Sequence, residues 1–598
     1  MMRKKTIISL LAMAALLTGC VYDKHSSDPT CPGAQEETFF LSFVLTPQGS
    51  SSATKADAGV KDIGLLEEQL VKTVDVYFYD ASGKFLGMKM PEPGKQTVSS
   101  TPTDDISSVV GEFVVRMDYK PAKMLVALNA GQKFGNKTLS EARAAMQEAS
   151  TSWQGAATDI KFEGTTYNVR PFYMTSATYA NGTQDICEFD IPADKILLSE
   201  SDALLNPVNL YVERLASKVQ VNATRTKFMV PAVTRYEGIT TQVEILGWGL
   251  NALNSKAYWF KNIDTGWSFS WTLPGGSGWS DFTKFRSHWA KDPNYDGGTY
   301  PLDYGDFIKA TPLDPADCDL KYVSWNDLGS DFNTGAAYCL ENTADGSILP
   351  TDRSRNGLYP KVTHVLVKAQ LSFGLGAGKT AADDPAGYVT ETDFYRYKGV
   401  FYTINNIFDA ILEDQKLSGN PYYKDAAKTV EADASDFVLV EYYGEKLYVR
   451  VTGTVYDKNG VAVAADALQN IRVDGFKDGH FYYKIPVEHL TPAPATPGAN
   501  YLTAQYGVVR NHNYVITLGA LNGVGTGVWN AAEPIVPVTA PEEYIVSAYV
   551  TVSPWLQFEN RFVFIDPTGM LVSEGQQVNR WSDIGPENPD WGGDGWYE

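Results

Sequence analysis

The sequence predicts a mainly β protein: two β-sandwiches in tandem, short helices in the connections, and a further strand segment at the C-terminus. Three observations point that way. Apolar residues alternate with polar ones in many short runs, which is the period of a strand with one buried face. Tyrosine (34) and phenylalanine (27) are plentiful, and glycine (51) and proline (31) punctuate the runs. Such a composition suits strands joined by turns. At 598 residues the chain is also longer than one hydrophobic core supports, so two or more domains are expected.

The N-terminus carries its own signal. Arg3, Lys4 and Lys5 form a basic start, residues 6–16 a short apolar run, and Leu17-Thr18-Gly19-Cys20 a lipobox. The run is too short to remain as a membrane helix, and its flanks are those of a signal peptide. Residues 1–19 thus read as a lipoprotein signal, and Cys20 as the lipidated residue. Each buried methylene of an acyl chain adds about 0.8 kcal/mol of membrane affinity. Residues 20–37 read as a tether. Phe39, Leu41, Phe43 and Leu45 then fall on one face of a strand. A Gly-, Ser- and Ala-rich stretch, residues 48–57, contains Lys55.

Further strands are expected at 74–79, closed by Asp80-Ala81-Ser82-Gly83, and at 124–130. Thr138-Leu139-Ser140-Glu141 has the spacing of a capping box and starts a short helix. A long strand is expected over 211–221. Others follow at 243–246, 364–371, 437–443, 447–456 and 481–487. One helix interrupts them, with Ile404, Ile407, Phe408 and Ile411 on one face. Near the end, 515–518 reads as a strand and 519–527 as a glycine-rich turn. Residues 533–541 read as a proline-punctuated, extended linker. Val546, Ala548, Val550 and Val552 then share one face of a strand that runs into Pro554-Trp555. The chain closes on an acidic tail rich in glycine and tryptophan.

Composition and motifs exclude several function classes. A net charge of −21 disfavours nucleic acid as a partner. The six histidines are scattered, and no two have the i, i+4 spacing of a metal pair on a helix. The sequence holds no H-E-x-x-H, no P-loop and no G-x-S-x-G, so no enzyme, cofactor or metal is expected. Asp457-Lys458-Asn459-Gly460 has the composition of a hairpin turn and not of a calcium loop. After Cys20, four cysteines remain. Cys318 and Cys339 are the pair that sequence proximity suggests for a disulfide, although spacing alone leaves other pairings open.

Several segments together resemble the fimbrillins, or type V pilins, of Bacteroidales, and most of all the shaft subunit of their short (minor) fimbriae. They are the lipobox at Cys20, residues 74–80 with Gly83, residues 125–130, and Phe172-Tyr173-Met174-Thr175-Ser176-Ala177. They continue with residues 212–219, Gly247-Trp248-Gly249-Leu250-Asn251, Arg510-Asn511-His512-Asn513-Tyr514, Gly523-Val524-Gly525 and Val552-Ser553-Pro554-Trp555. The resemblance implies two transthyretin-like sandwiches, at 56–225 and 226–540. It also implies a removable propeptide at 20–55 and a donor-strand segment with tail at 541–598.

A mechanism is implied as well. The chain would reach the outer membrane as a lipoprotein and be cut after Lys55 by a trypsin-like or lysine-tolerant surface protease. The family pattern has arginine at this place. Loss of the first strand would expose four inward side chains worth roughly 1.5–3 kcal/mol each. A C-terminal strand of another copy would fill the groove by strand addition. Such a head-to-tail contact does not close on itself and gives filaments. The implied partners are other copies, accessory fimbrial subunits and host or bacterial surface ligands, in adhesion and biofilm. The 34 residues after Phe564 extend beyond the family pattern. The alternative expectation is a fimbrial tip or adhesin subunit, or a free glycan-binding surface lipoprotein.

Overall fold

The computed structural model describes residues 39–47, 65–91, 111–148, 153–177, 179–181, 184–262, 290–294, 320–343, 362–442, 446–487, 507–535, 546–554 and 561–563. Cys20, Lys55, Cys318, Trp555 and the tail lie outside the described residues. The fold class is the expected one: the protein is mainly β, with several sheets and short helices in the connections.

The first sheet is built from β1 (Phe39–Pro47), β2 (Val74–Tyr79), β3 (Phe85–Lys89), β4 (Gly111–Met117), β5 (Lys123–Leu128), β6 (Met174–Ser176) and β7 (Val208–Arg214). Across the sheet they run β3-β2-β5-β6-β7-β1-β4, with Phe189–Asp190 alongside β5. Both faces of β2 are buried. Val74, Val76 and Phe78 join the cluster that holds Leu41, Phe43, Val126 and Leu210. Tyr77 and Tyr79 point the other way and pack with Phe134, Leu139 and Trp259. Gly83 turns the β2–β3 hairpin at φ +85°, a conformation that L side chains resist.

Helix α1 (Leu66–Gln69) precedes β2, and α2 (Leu139–Arg143) follows β5. The sequence-predicted capping box starts α2. Thr138 Oγ1 accepts from the Glu141 N–H at 3.2 Å, and the Glu141 carboxylate accepts from the Thr138 N–H at 2.8 Å. A third short helix, α3 (Glu200–Leu204), precedes β7 and packs on β1 and β4.

The strand expected over 211–221 is two strands. β7 ends at Arg214, the buried Leu215 intervenes, and β8 (Ala216–Ala223) joins a different sheet. Side chains on both sides of the crossing are buried, and the crossing shows in the sequence only as a shift of the apolar positions from Leu210 and Val212 to Val219 and Val221. The chain continues through β9 (Lys227–Val230), β10 (Ile239–Asn251), β11 (Ala336–Leu340), β12 (His364–Leu375), helix α4 (Ile404–Leu417), β13 (His480–Pro486), β14 (His512–Leu521), β15 (Thr526–Gly527), β16 (Val546–Pro554) and β17 (Arg561–Val563).

Two five-stranded sheets form from these, in the orders β11-β8-β14-β16-β17 and β9-β10-β12-β13-β15. One hydrophobic cluster joins them. Val219, Val221, Tyr514, Ile516 and Leu518 come from the first sheet, and Val243, Val365, Val367, Phe481 and Tyr483 from the second. This is sheet-on-sheet packing. Gly525 is needed where the backbone passes β13, because a Cβ there would stand 2.2 Å from the Tyr482 carbonyl oxygen.

A six-stranded sheet also forms, in the order Val233–Thr234, Val400–Tyr402, Phe394–Tyr397, Arg472–Phe476, Lys446–Val451, Phe437–Tyr442. α4 packs Ile407, Phe408 and Ile411 against its Leu447, Val449 and Val473. Ile404, also expected on the buried face, starts the helix and is 43% exposed. The hairpin turn expected at 457–460 is present. Asp457 Oδ1 accepts from the Asn459 and Val461 N–H groups, at 2.8 and 2.9 Å.

Candidate functional site

Two strands carry the expectations raised by the sequence. β1 lies inside the first sheet. It runs parallel to β7, from Phe43 opposite Val208 to Pro47 opposite Val212. It runs antiparallel to β4, from Phe39 opposite Met117 to Leu45 opposite Gly111. At its start Phe40 and Leu197 exchange two backbone hydrogen bonds, of 2.7 and 2.9 Å. Phe39 is 5% exposed, and Leu41 and Phe43 are fully buried. Phe43 stacks on Phe113 of β4 with centroids 5.4 Å apart, and the Lys120 ammonium covers the Phe39 ring. The backbone of Leu45 sits between Gly111 and Leu210.

β16 lies near the opposite end of the chain and in another sheet, next to the last strand of that sheet's order. It pairs with β14 from His512 opposite Pro554 to Leu521 opposite Val546, with a bulge after Leu518. Among the described residues, the three-residue β17 alone borders its other side. Val546, Ala548, Val550 and Val552 are therefore strand residues close to a sheet edge. The linker leading to them is tied down at its start. The Ile535 N–H donates to the Val323 carbonyl at 2.8 Å, and Asn251 Nδ2 donates to the Ile535 carbonyl at 2.9 Å.

Between the two strands, the β7–β8 crossing holds a cluster of buried charges. Arg510 pairs with Glu341, both wholly buried, and its Nη1 donates to the Trp259 carbonyl at 2.9 Å. Lys261 meets Glu213 at 3.4 Å. Lys218 meets Glu68 of α1 at 3.0 Å, and the Tyr338 hydroxyl donates to the same carboxylate. Arg214 Nε donates to the Glu68 carbonyl at 2.9 Å, and its Nη1 to Asn511 Oδ1 at 3.3 Å. Burial raises the Glu213 carboxyl above its ordinary range, against the pull of Lys261 and Arg510. Burial likewise holds the His512 imidazole down at about 3, so it is neutral at physiological pH. Buried charges are stable only when paired, and these pairs join α1, β7 and β8 to the residues just after β11 and just before β14.

Residues 474–561, which span β13 to β16, match the family profile described as "Major fimbrial subunit protein type IV, Fimbrillin, C-terminal". This segment is similar to the fimbrillin C-terminal region. No curated protein matches the chain. Among solved structures, a fimbrilin (FimA) of Porphyromonas gingivalis is 13% identical, with TM-score 0.32, over 87% of this chain and 98% of that one. The tip fimbrial protein Mfa3 of the same organism, with a C-terminal truncation, is 10% identical, with TM-score 0.27, over 81% and 95%. A candidate cell adhesion protein of Parabacteroides distasonis is 12% identical, with TM-score 0.35, over 87% and 99%.

The fimbrillin-like segments of the sequence meet at the charge cluster. Glu213, Arg214 and Lys218 come from residues 212–219, and Arg510 and Asn511 from the 510–514 segment. Thr175, from 172–177, donates to the Trp259 carbonyl at 2.9 Å. Sequence reasoning singled out these segments without assigning the charges a role. The available signal was a Glu, an Arg and a Lys inside an otherwise apolar strand run, a placement that is rare unless the charges are paired. Glu341 and Lys261 carried no such signal. Of the suggested disulfide pair, Cys339 is a buried free cysteine whose thiol burial pushes up to about 12. Among the described residues, no group of His, Cys, Asp and Glu forms a metal cluster. Among them also, no helix is long and apolar enough to cross a membrane.

Proposed function

We propose that the chain is a structural subunit of a cell-surface fimbria that polymerises by protease-activated strand exchange. The observation that carries the proposal is the position of β1. It is an N-terminal strand with a buried apolar face, bordered on both sides by hydrogen-bonded strands, and it precedes the lysine at 55. The fimbrillin match over β13–β16 supports the same reading.

In this reading Cys20 holds the precursor in the outer membrane, and residues 20–55 leave together when a trypsin-like surface protease cuts after Lys55. The three described inward side chains of β1 then leave a groove whose refilling is worth roughly 1.5–3 kcal/mol each, besides the lost strand hydrogen bonds. The strand with Val546, Ala548, Val550 and Val552 from a second copy fills it, followed by Trp555. Repetition gives an extracellular filament, to which accessory subunits add.

Digestion of the purified precursor with a trypsin-like protease tests the cut. The wild type is expected to build a high-molecular-weight ladder on gels, and Lys55→Ala to remain monomeric. A Lys55→Ala ladder that forms at the wild-type rate would remove Lys55 from the proposal.

A further inference from the structure

The cradle around β1 has unequal walls. One wall is β7. It runs through Leu215 into β8, pairs with β6 at Val212–Arg214, and is tied by Arg214 to the Glu68 carbonyl and to Asn511. The other wall is β4. It ends the sheet order, and among the described residues β1 is its sole strand partner. Apart from β1, β4 is held by α3 and by three buried side chains, Phe113, Val115 and Met117.

The two strands that would occupy the cradle differ in bulk. β1 and β16 are each nine residues long and end in Thr-Pro and Ser-Pro, which sets Phe39, Leu41, Phe43 and Leu45 in line with Val546, Ala548, Val550 and Val552. Every pair goes from larger to smaller. A rigid cradle shaped on Phe39, Leu41 and Phe43 would keep voids around Val, Ala and Val. The cost of such voids depends on how far the walls collapse. Phe113 would lose its stacked ring when Val550 took the place of Phe43. β7 is fixed by its continuation into β8, so the collapse falls to β4.

We propose that β4 is a moving wall of the donor site. It disengages with β1 and closes again, nearer to β7, on the slimmer strand of a second copy. This rests on the strand-exchange reading above and specifies how the site accepts its partner. It also gives that reading a selectivity element, since a strand as bulky as β1 would hold the wall open.

Hydrogen exchange read by mass spectrometry tests the wall on the full chain. Phe43→Ala weakens β1; on β4 it removes the stack on Phe113 but leaves Val115, Met117 and the α3 contact in place. Exchange is expected to accelerate by at least about tenfold in both 39–47 and 111–117, with 123–128 of β5 unchanged. Acceleration of 39–47 alone would overturn the proposal. If Phe43→Ala does not fold, wild-type protein in a urea series replaces it, and the two segments are expected to open along one curve. A second arm uses polymer. Ala548→Leu would fill a rigid cradle and slow filament dissociation, but it gains nothing against a wall already closed on Ala548. Slower dissociation of the Ala548→Leu polymer would therefore also overturn the moving wall. If no polymer forms at all, the strand-exchange reading falls, and the exchange arm still decides whether β4 follows β1.

Discussion

Deleting residues 544–598 is expected to abolish filament formation and leave a folded monomer. The deletion removes β16, β17 and everything beyond them. β14 keeps β8 on its other side, and its buried Tyr514, Ile516 and Leu518 belong to the sandwich core. The monomer therefore loses an edge and not a layer. Assembly loses the strand that the groove requires. With several apolar side chains at roughly 1.5–3 kcal/mol each, the joint weakens by many orders of magnitude. Protease-treated truncated protein should run as monomer on gels, with a wild-type-like circular dichroism spectrum. A ladder from the truncated protein would dismiss β16 as the donor. The exposed edge of β14 is also a template for unwanted pairing, so the comparison is best made at low protein concentration.

The largest effect on stability is expected from Arg510→Ala. Arg510 and Glu341 are both fully buried, and Arg510 also donates to the Trp259 carbonyl. Removing one partner leaves a buried, uncompensated carboxylate, which costs about 3–5 kcal/mol. Urea unfolding should show that loss as a lower midpoint with an unchanged slope. The double variant Arg510→Met, Glu341→Leu removes both charges and should recover most of the loss, since apolar replacement of a whole buried pair is often near neutral. A loss below about 1 kcal/mol in the single variant would mean that water reaches the pair, the regime of surface ion pairs. The prediction also separates folding from assembly: an Arg510 variant should lose stability in the monomer, whereas the truncation should lose only the filament.

Much of the fold was legible because its strands carry a one-sided apolar pattern. β1 and the α2 capping box appear where residue spacing put them, since each rests on local chemistry: alternation in one case, a Thr and a Glu three residues apart in the other. What escaped was set by long-range geometry. In the run 211–221 the change of sheet at Leu215 leaves only a shift of phase, from Leu210 and Val212 to Val219 and Val221, because both halves are buried and keep a two-residue period. The six-stranded sheet with α4 was not set apart from the sandwich around it, since its strands look like any others. The charge cluster joins residues as far apart as Glu68 and Lys218, or Glu341 and Arg510, and no spacing announces such pairs. In the candidate site, β1 was readable as an apolar strand, but its place between β7 and β4 was not.

Strand exchange requires that β1 be present in the precursor and missing from the filament. Mass spectrometry of the N-terminus of subunits isolated from high-molecular-weight ladders tests it most directly. Subunits are expected to begin at Ala56, with residues 20–55 and the lipid gone. Ladder subunits that still begin at acylated Cys20 would contradict it.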